Sequence, residues 1–157
     1  MEDEALRKEI LVGFEYSYLH EDWVNPLREA LAGLTLDHVR WKAEPEAKSI
    51  FEIVLHLATW NENIVERIRT GEPVGPADGH WPEPPAVQDS AAWDDAKMRL
   101  WESLDLMRAT IDQAPMEKIL GSHYGLGDLF CRFIHNAYHI GQITKLRECL
   151  EASDDIP

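Results

Sequence analysis

The chain has 157 residues, 45% hydrophobic and 28% charged, with a formal net charge of −14 at pH 7. That size and balance predict a single globular domain over residues 1–157, with enough material for a real core. So negative a surface repels phosphate backbones and anionic lipid, which excludes nucleic acid and membranes as natural partners.

No run of the sequence approaches the roughly 20 apolar residues that a membrane span needs. The start, Met1-Glu2-Asp3-Glu4, lacks the basic and apolar regions of a signal peptide. Cys131 and Cys149 fall on one predicted helix, about 27 Å apart at 1.5 Å per residue, too far to pair with each other. Together these features predict a cytoplasmic protein.

In chain order, Leu6, Ile10 and Phe14, then Tyr16 and Leu19, recur at helical spacing from about Glu4 to Leu19. A second piece, from about Val24 to Ala32, carries Leu27, Ala30 and Leu31 and stops at Gly33. The two pieces read as one first helix, bent near Glu21–Asn25, with Pro26 at the bend. Residues 34–48 read as a connection, interrupted by Pro45.

The second helix opens on Ser49-Ile50-Phe51-Glu52, the spacing of a capping box. It runs through Ile53, Val54, Leu57, Trp60 and Ile64 to Thr70, with Gly71 placed to end it. Between 71 and 88 stand Pro73, Pro76, Pro82, Pro84 and Pro85 with three glycines, so no regular element is expected there. A connection this long reads either as a plain exposed crossover or as a lid over one end of the fold, with Trp81 as its anchor.

The third helix is predicted from Ser90 to Asp112, with Trp93, Leu100, Leu104, Met107 and Ile111 on one face and Pro115 marking its end. Residues 113–126 connect onward. The fourth helix is predicted from Asp128 to Leu150. Nothing alternates as a strand does. The fold class expected is therefore all-α: a four-helix bundle with a long Pro-rich connection between its second and third helices.

The chemistry concentrates in the fourth helix. His135 and His139 are four residues apart, so they share a helix face with Cβ atoms about 5–6 Å apart. Two ring nitrogens so placed can reach one metal ion at about 2.0–2.1 Å. Roughly 0.3 such pairs are expected by chance in a chain this rich in histidine, so a third ligand is needed to give the pair meaning. On a helical wheel Asp128, Cys131, His139, Gln142 and Leu146 lie within about 40° of His135. Phe130, Ile134 and Ile143 flank them, which predicts that the polar stripe faces the core. Polar groups left unpaired there would cost about 1–3 kcal/mol each. His56, between Ile53 and Trp60 on the second helix, reads either as a satisfied core histidine or, with two helices each aiming histidine inward, as a third ligand. Glu52 and Asn63 share its sector of the wheel.

Other metal and catalytic patterns are missing. No histidine follows a glutamate by three residues, as paired di-iron sites require. There is no His-Glu-x-x-His, no Gly-x-Ser-x-Gly elbow, no phosphate-cradling glycine loop and no Cys-x-x-Cys.

The segments Ser49–Asn61 (SIFEIVLHLATWN) and His135–Ile143 (HNAYHIGQI) resemble the DinB/YfiT-like superfamily of metal-binding four-helix proteins. The stretches Trp23–Leu34 and Trp41–Pro45 are similar to it as well, and residues 71–90 match least. The resemblance implies a bundle, often a homodimer, with a three-histidine site for Zn²⁺, Ni²⁺ or a related divalent ion. Carried over by motif, the ligands are His56, His135 and His139. Gly141 and Gln142 match the motif without being ligands. Characterised relatives include thiol S-transferases and isomerases that use low-molecular-weight thiols.

The resulting expectation is a metal-dependent enzyme of the thiol S-transferase type, acting on a small molecule. The ion would lower the pKa of a bound thiol or water. The same centre could run hydrolysis, and a non-catalytic metal-binding stress-response protein is the competing reading. Glu52, Asn63, Cys131, Tyr138 and Gln142 are candidates to orient the ligands or move protons. Cys131 reads mainly as a small buried residue, with a fourth ligand or a nucleophile as its other roles. His20, His38, His80 and His123 are read as dispensable for metal.

Overall fold

A computed structural model of the chain describes residues 2–21, 25–72, 74–86, 89–121 and 125–154. The described residues form helices and no strands: α1 (Glu2–Tyr16), α2 (Leu27–Leu31), α3 (Leu36–Arg40), α4 (Ile50–Thr70), α5 (Ser90–Gln113), α6 (Met116–Gly121) and α7 (Gly125–Asp154). The long helices α1, α4, α5 and α7 make the bundle, and the short ones close its ends.

Helix α4 is the axis of the packing. Every residue from Ile50 to Thr59 is buried, because α3, α5, α6 and α7 all pack against this helix. A helix enclosed on all sides has to be apolar almost all round, which Ile-Phe-Glu-Ile-Val-Leu-His-Leu-Ala satisfies except at Glu52 and His56. Its start is fixed by the expected capping box. Ser49 Oγ accepts from Glu52 N at 3.3 Å, and Glu52 Oε2 accepts from Ser49 N at 2.9 Å. It ends at Gly71, whose φ of 79° is the left-handed conformation that glycine adopts without strain.

Around this axis the core is continuous. Phe14 of α1 lies 5.5 Å from Phe133 of α7, and Phe51 meets Trp93 of α5 edge-on at 5.3 Å. Arg7 of α1 donates to the carbonyls of Ile111 and Ala114, satisfying the end of α5. Arg147 of α7 donates to Glu29 O at 3.0 Å and Ala32 O at 2.7 Å, doing the same for α2.

Four features differ from expectation. The first predicted helix is two elements, α1 and α2. Its expected bend falls mainly on residues 22–24, outside the described residues. Helix α3 lies within what reads as a connection. Its cap is Thr35, whose hydroxyl accepts from His38 N while His38 Nδ1 accepts from Thr35 N, a box with histidine where glutamate or glutamine is usual. Pro115 ends α5 but also starts α6, since its carbonyl accepts from Lys118 N and Ile119 N. Helix α7 then begins at Gly125 rather than Asp128. Gly125 has φ +54°, and a Cβ there would stand 2.8 Å from Leu120 O, so its close approach to α6 requires glycine.

Candidate metal centre

Helices α4 and α7 lie antiparallel. The ion pair from Arg67 to Asp128 (3.1 Å) holds one end, and the contact of His56 with His135 and His139 holds the middle. This register brings three imidazoles together. His56 Nε2 is 2.9 Å from His135 Nε2, which is 3.0 Å from His139 Nε2. All three ligand atoms fall within 4.8 Å of one another. His56 and His139 are buried and His135 is half-buried. Imidazole nitrogens about 2.1 Å from one ion stand about 3.0 Å apart at a right angle and about 3.4 Å apart at a tetrahedral angle. Two of the three nitrogen separations already match the right-angle value.

The outer nitrogens decide which lone pairs face inward. His56 Nδ1 donates to the carbonyl of His80 at 2.5 Å. His139 Nδ1 donates to Gln142 Oε1 at 2.6 Å, and Gln142 Nε2 donates to the hydroxyl of Tyr138 at 3.0 Å. Both imidazoles therefore carry their proton outside and present a bare Nε2 to the centre, the arrangement usual for metal-binding histidines. His135 differs. Arg132 Nη1 donates to its Nδ1 at 2.7 Å, so the ring proton sits on Nε2 and is shared with His56 or His139. The donor set fits a divalent ion once that proton has moved.

Burial lowers the pKa of all three rings, taking His56 down to about 4. The neighbouring Arg132 guanidinium pushes His135 further in the same direction, against the hydrogen bonds that favour protonation at His56 and His139. Near neutral pH the cluster is uncharged, as metal ligation requires.

A roof covers the centre. Trp81 stacks on His56 with ring centroids 3.8 Å apart and planes 14° apart, and it lies 5.8 Å from His139. Trp81 is thus the anchor expected of the Pro-rich connection. The strap is also pinned elsewhere. Asn63 Nδ2 and Arg67 Nε both donate to Val74 O at 3.0 Å, Arg99 pairs with Asp78 at 2.7 Å, and Arg40 donates to Pro85 O at 2.6 Å.

Of the candidate supporting residues, Gln142 and Tyr138 form a chain to His139. Asn63 instead holds the strap. Glu52 serves the cap and two lysines, Lys42 at 2.8 Å and Lys48 at 3.0 Å. Burial opposes its charge, but the hydrogen bonds from Lys42, Ser49 and Lys48 prevail and hold its carboxyl down to about 2. Cys131 is exposed, so its reading as a small buried residue is corrected, and its sulfur is not among the converging ligand atoms. Neither cysteine forms a disulfide. Phe130 and Ile134 are exposed as well, Ile134 to 70%, because α7 turns its histidines toward α4 and these residues outward. Only Ile143 of the expected apolar flank is in the core. His123 lies outside the described residues.

Two contributors were not anticipated. The His80 carbonyl is a backbone group with no mark in the sequence. Arg132 sits about 60° from His135 on the wheel, just outside the sector considered. An arginine three residues before a ligand, one turn along the same side, is the signal that could have revealed it.

A family model described as the DinB superfamily matches residues 18–143. The chain belongs to the DinB superfamily. No curated protein and no solved structure matched it.

Two outcomes are expected of this DinB-superfamily chain. Unfolded histidines titrate near pH 6.5, whereas the folded values lie lower, so acid protonates the unfolded chain first. The stabilisation is complete above about pH 6.5 and is lost as the pH falls toward the folded values, of which that of His56 is about 4. With chelator present, the urea midpoint should drop between about pH 7 and 5, well before Glu52 titrates; a level midpoint over that range would contradict the buried neutral cluster. In the second experiment, Gln142→Leu removes the acceptor that orients His139 and should weaken Zn²⁺ or Ni²⁺ binding about 10–100-fold by calorimetry. Unchanged affinity would show that the Tyr138–Gln142 chain is incidental.

Proposed function

We propose that the protein is a metal-dependent enzyme in which His56, His135 and His139 hold a divalent ion, zinc or nickel. Its reaction is of the thiol S-transferase type, with a low-molecular-weight thiol and a small-molecule substrate. The convergence of three Nε2 atoms from two helices is the observation that carries this reading. When bound, the ion would supply Lewis acidity that lowers the pKa of a thiol or water. The chain's own groups orient the ligands: the His80 carbonyl for His56, and Gln142 with Tyr138 for His139. Trp81 keeps bulk water off the face of His56.

A donor set of three histidines would leave an ion room for a thiol or water, which favours an enzyme over a purely structural metal site. Cys131 points to solvent and Glu52 is committed to its lysines, so neither completes the ligand set. Hydrolysis by the same centre is the nearest alternative, with water in place of the thiol. Among the described residues no helix is long and apolar enough to cross a membrane.

Wild-type protein loaded with Zn²⁺ or Ni²⁺ should retain close to one ion per chain after desalting. His56→Ala, His135→Ala and His139→Ala should each lose it, while His80→Ala, which keeps the carbonyl, should not. Retention by any of the three ligand variants would refute the assignment. A panel of thiols and electrophiles, run with His56→Ala as the blank, then separates transferase from hydrolase.

We also propose the homodimer, with α7 as its contact. Phe130, Ile134 and Tyr138, spaced four residues apart on α7, form an exposed stripe, 46%, 70% and 61% accessible. Paired antiparallel about Ile134, two copies would set Phe130 of one against Tyr138 of the other. Ile134→Glu should halve the mass measured by light scattering; an unchanged mass would place any contact elsewhere.

A further inference from the structure

Among the described residues Arg132 is an anomalous charged group. Its side chain is only 7% exposed, yet among the described residues no carboxylate pairs with it. The nearby Asp128 is already bound to Arg67 at 3.1 Å. The guanidinium rests on the face of Trp60, 4.9 Å from the ring centroid, and spends Nη1 on His135 Nδ1. Its Nε is buried without an acceptor, and Nη2 has none among the described residues. Nε–H and Nη2–H form the side edge of a guanidinium, the edge that takes both oxygens of a carboxylate. A buried cation with that edge vacant lacks an anion the chain does not supply.

The same arginine opposes the ligand role of His135. Its hydrogen bond to Nδ1 leaves the ring proton on Nε2, where a metal would need the lone pair. If His135 is to ligate as a neutral ring, the proton must sit on Nδ1. That N–H would then face the Arg132 N–H across 2.7 Å, donor against donor. Arg132 has to turn away, and a guanidinium that turns inside a buried site requires a new acceptor.

We propose that Arg132 makes this centre a site for a carboxylate-bearing ligand, and that the carboxylate and the metal ion each strengthen the binding of the other. The proposal rests on the three-histidine reading given above and adds the chemical class of the ligand. The carboxylate takes the free edge of Arg132 and releases His135. A bound ion, by holding His135 Nε2, frees Arg132 for the carboxylate. Linkage makes the two effects equal in size. A local excess of positive charge, with Arg67 and Arg132 set against Asp128, selects an anion inside a protein whose total charge is −14.

The test is calorimetric titration of the intact protein with Zn²⁺, alone and in the presence of propionate or its uncharged analogue propionamide. Arg132→Met and Arg132→Gln are the variants. Replacing a buried unpaired charge by an apolar group is commonly neutral or stabilising, so Arg132→Met is expected to fold. Arg132→Gln serves if circular dichroism shows that it does not. Propionate should tighten Zn²⁺ binding to the wild type about tenfold or more, and propionamide should not. Without propionate, either variant should bind Zn²⁺ more tightly than the wild type, and propionate should add less than twofold. Nitrogen-15 shifts of His135 should report a proton on Nε2 before loading and on Nδ1 after it. A propionate effect that is absent in the wild type, equalled by propionamide, or undiminished in the variants overturns the proposal and leaves the metal reading standing. Wild-type protein that is folded yet takes up neither Zn²⁺ nor Ni²⁺ overturns the metal reading, and this inference with it.

Discussion

The antiparallel contact of α4 with α7, with residue 56 level with residues 135–139, is the constraint on which the rest depends. It is a packing result before it is a chemical one. Helix α4 is enclosed by four other helices, so its rotation and height are fixed by Ile50, Phe51, Ile53, Val54 and Leu57. The Arg67–Asp128 pair and the Phe14–Phe133 contact set α7 against that frame. A shift of one residue in either helix would rotate its histidine by about 100° and separate the three nitrogens. The cluster thus inherits its precision from apolar side chains that take no part in chemistry.

Much of this was legible in the residues. The capping box at Ser49 and the stop at Gly71 located α4 to within a residue, because both signals act locally. The His135–His139 spacing and the inward His56 were equally plain, since helical geometry fixes which side chains share a face. The short helices α3 and α6 were not legible. One is capped by a histidine standing in for glutamate, and the other begins at a proline that also ends its predecessor. The wheel placed the histidine stripe correctly but misjudged its borders. Cys131, Phe130 and Ile134 lie on the outer side because only a narrow sector of α7 meets α4. The His80 carbonyl could not be read at all, being a main-chain group on a connection without regular structure.

Charge is distributed with a purpose that the total conceals. The surface is strongly acidic, and the interior near the histidines is not. Glu52, the one buried carboxylate of α4, is clamped by Lys42 and Lys48 at the far end of that helix turn. The charged group that touches the imidazoles on the other side is the guanidinium of Arg132. Long-range repulsion keeps polyanions away from the molecule, while a small anion that reaches the centre meets the opposite field.

The stacking of Trp81 on His56 has a kinetic consequence. The strap that carries Trp81 is fastened at Val74, Asp78, His80 and Pro85, so the face of His56 beneath Trp81 is uncovered only when several of these fastenings open together. Such openings are local unfolding events. Because the His80 carbonyl accepts from His56 Nδ1, the same opening that uncovers this imidazole also releases its orientation, so the strap controls both at once.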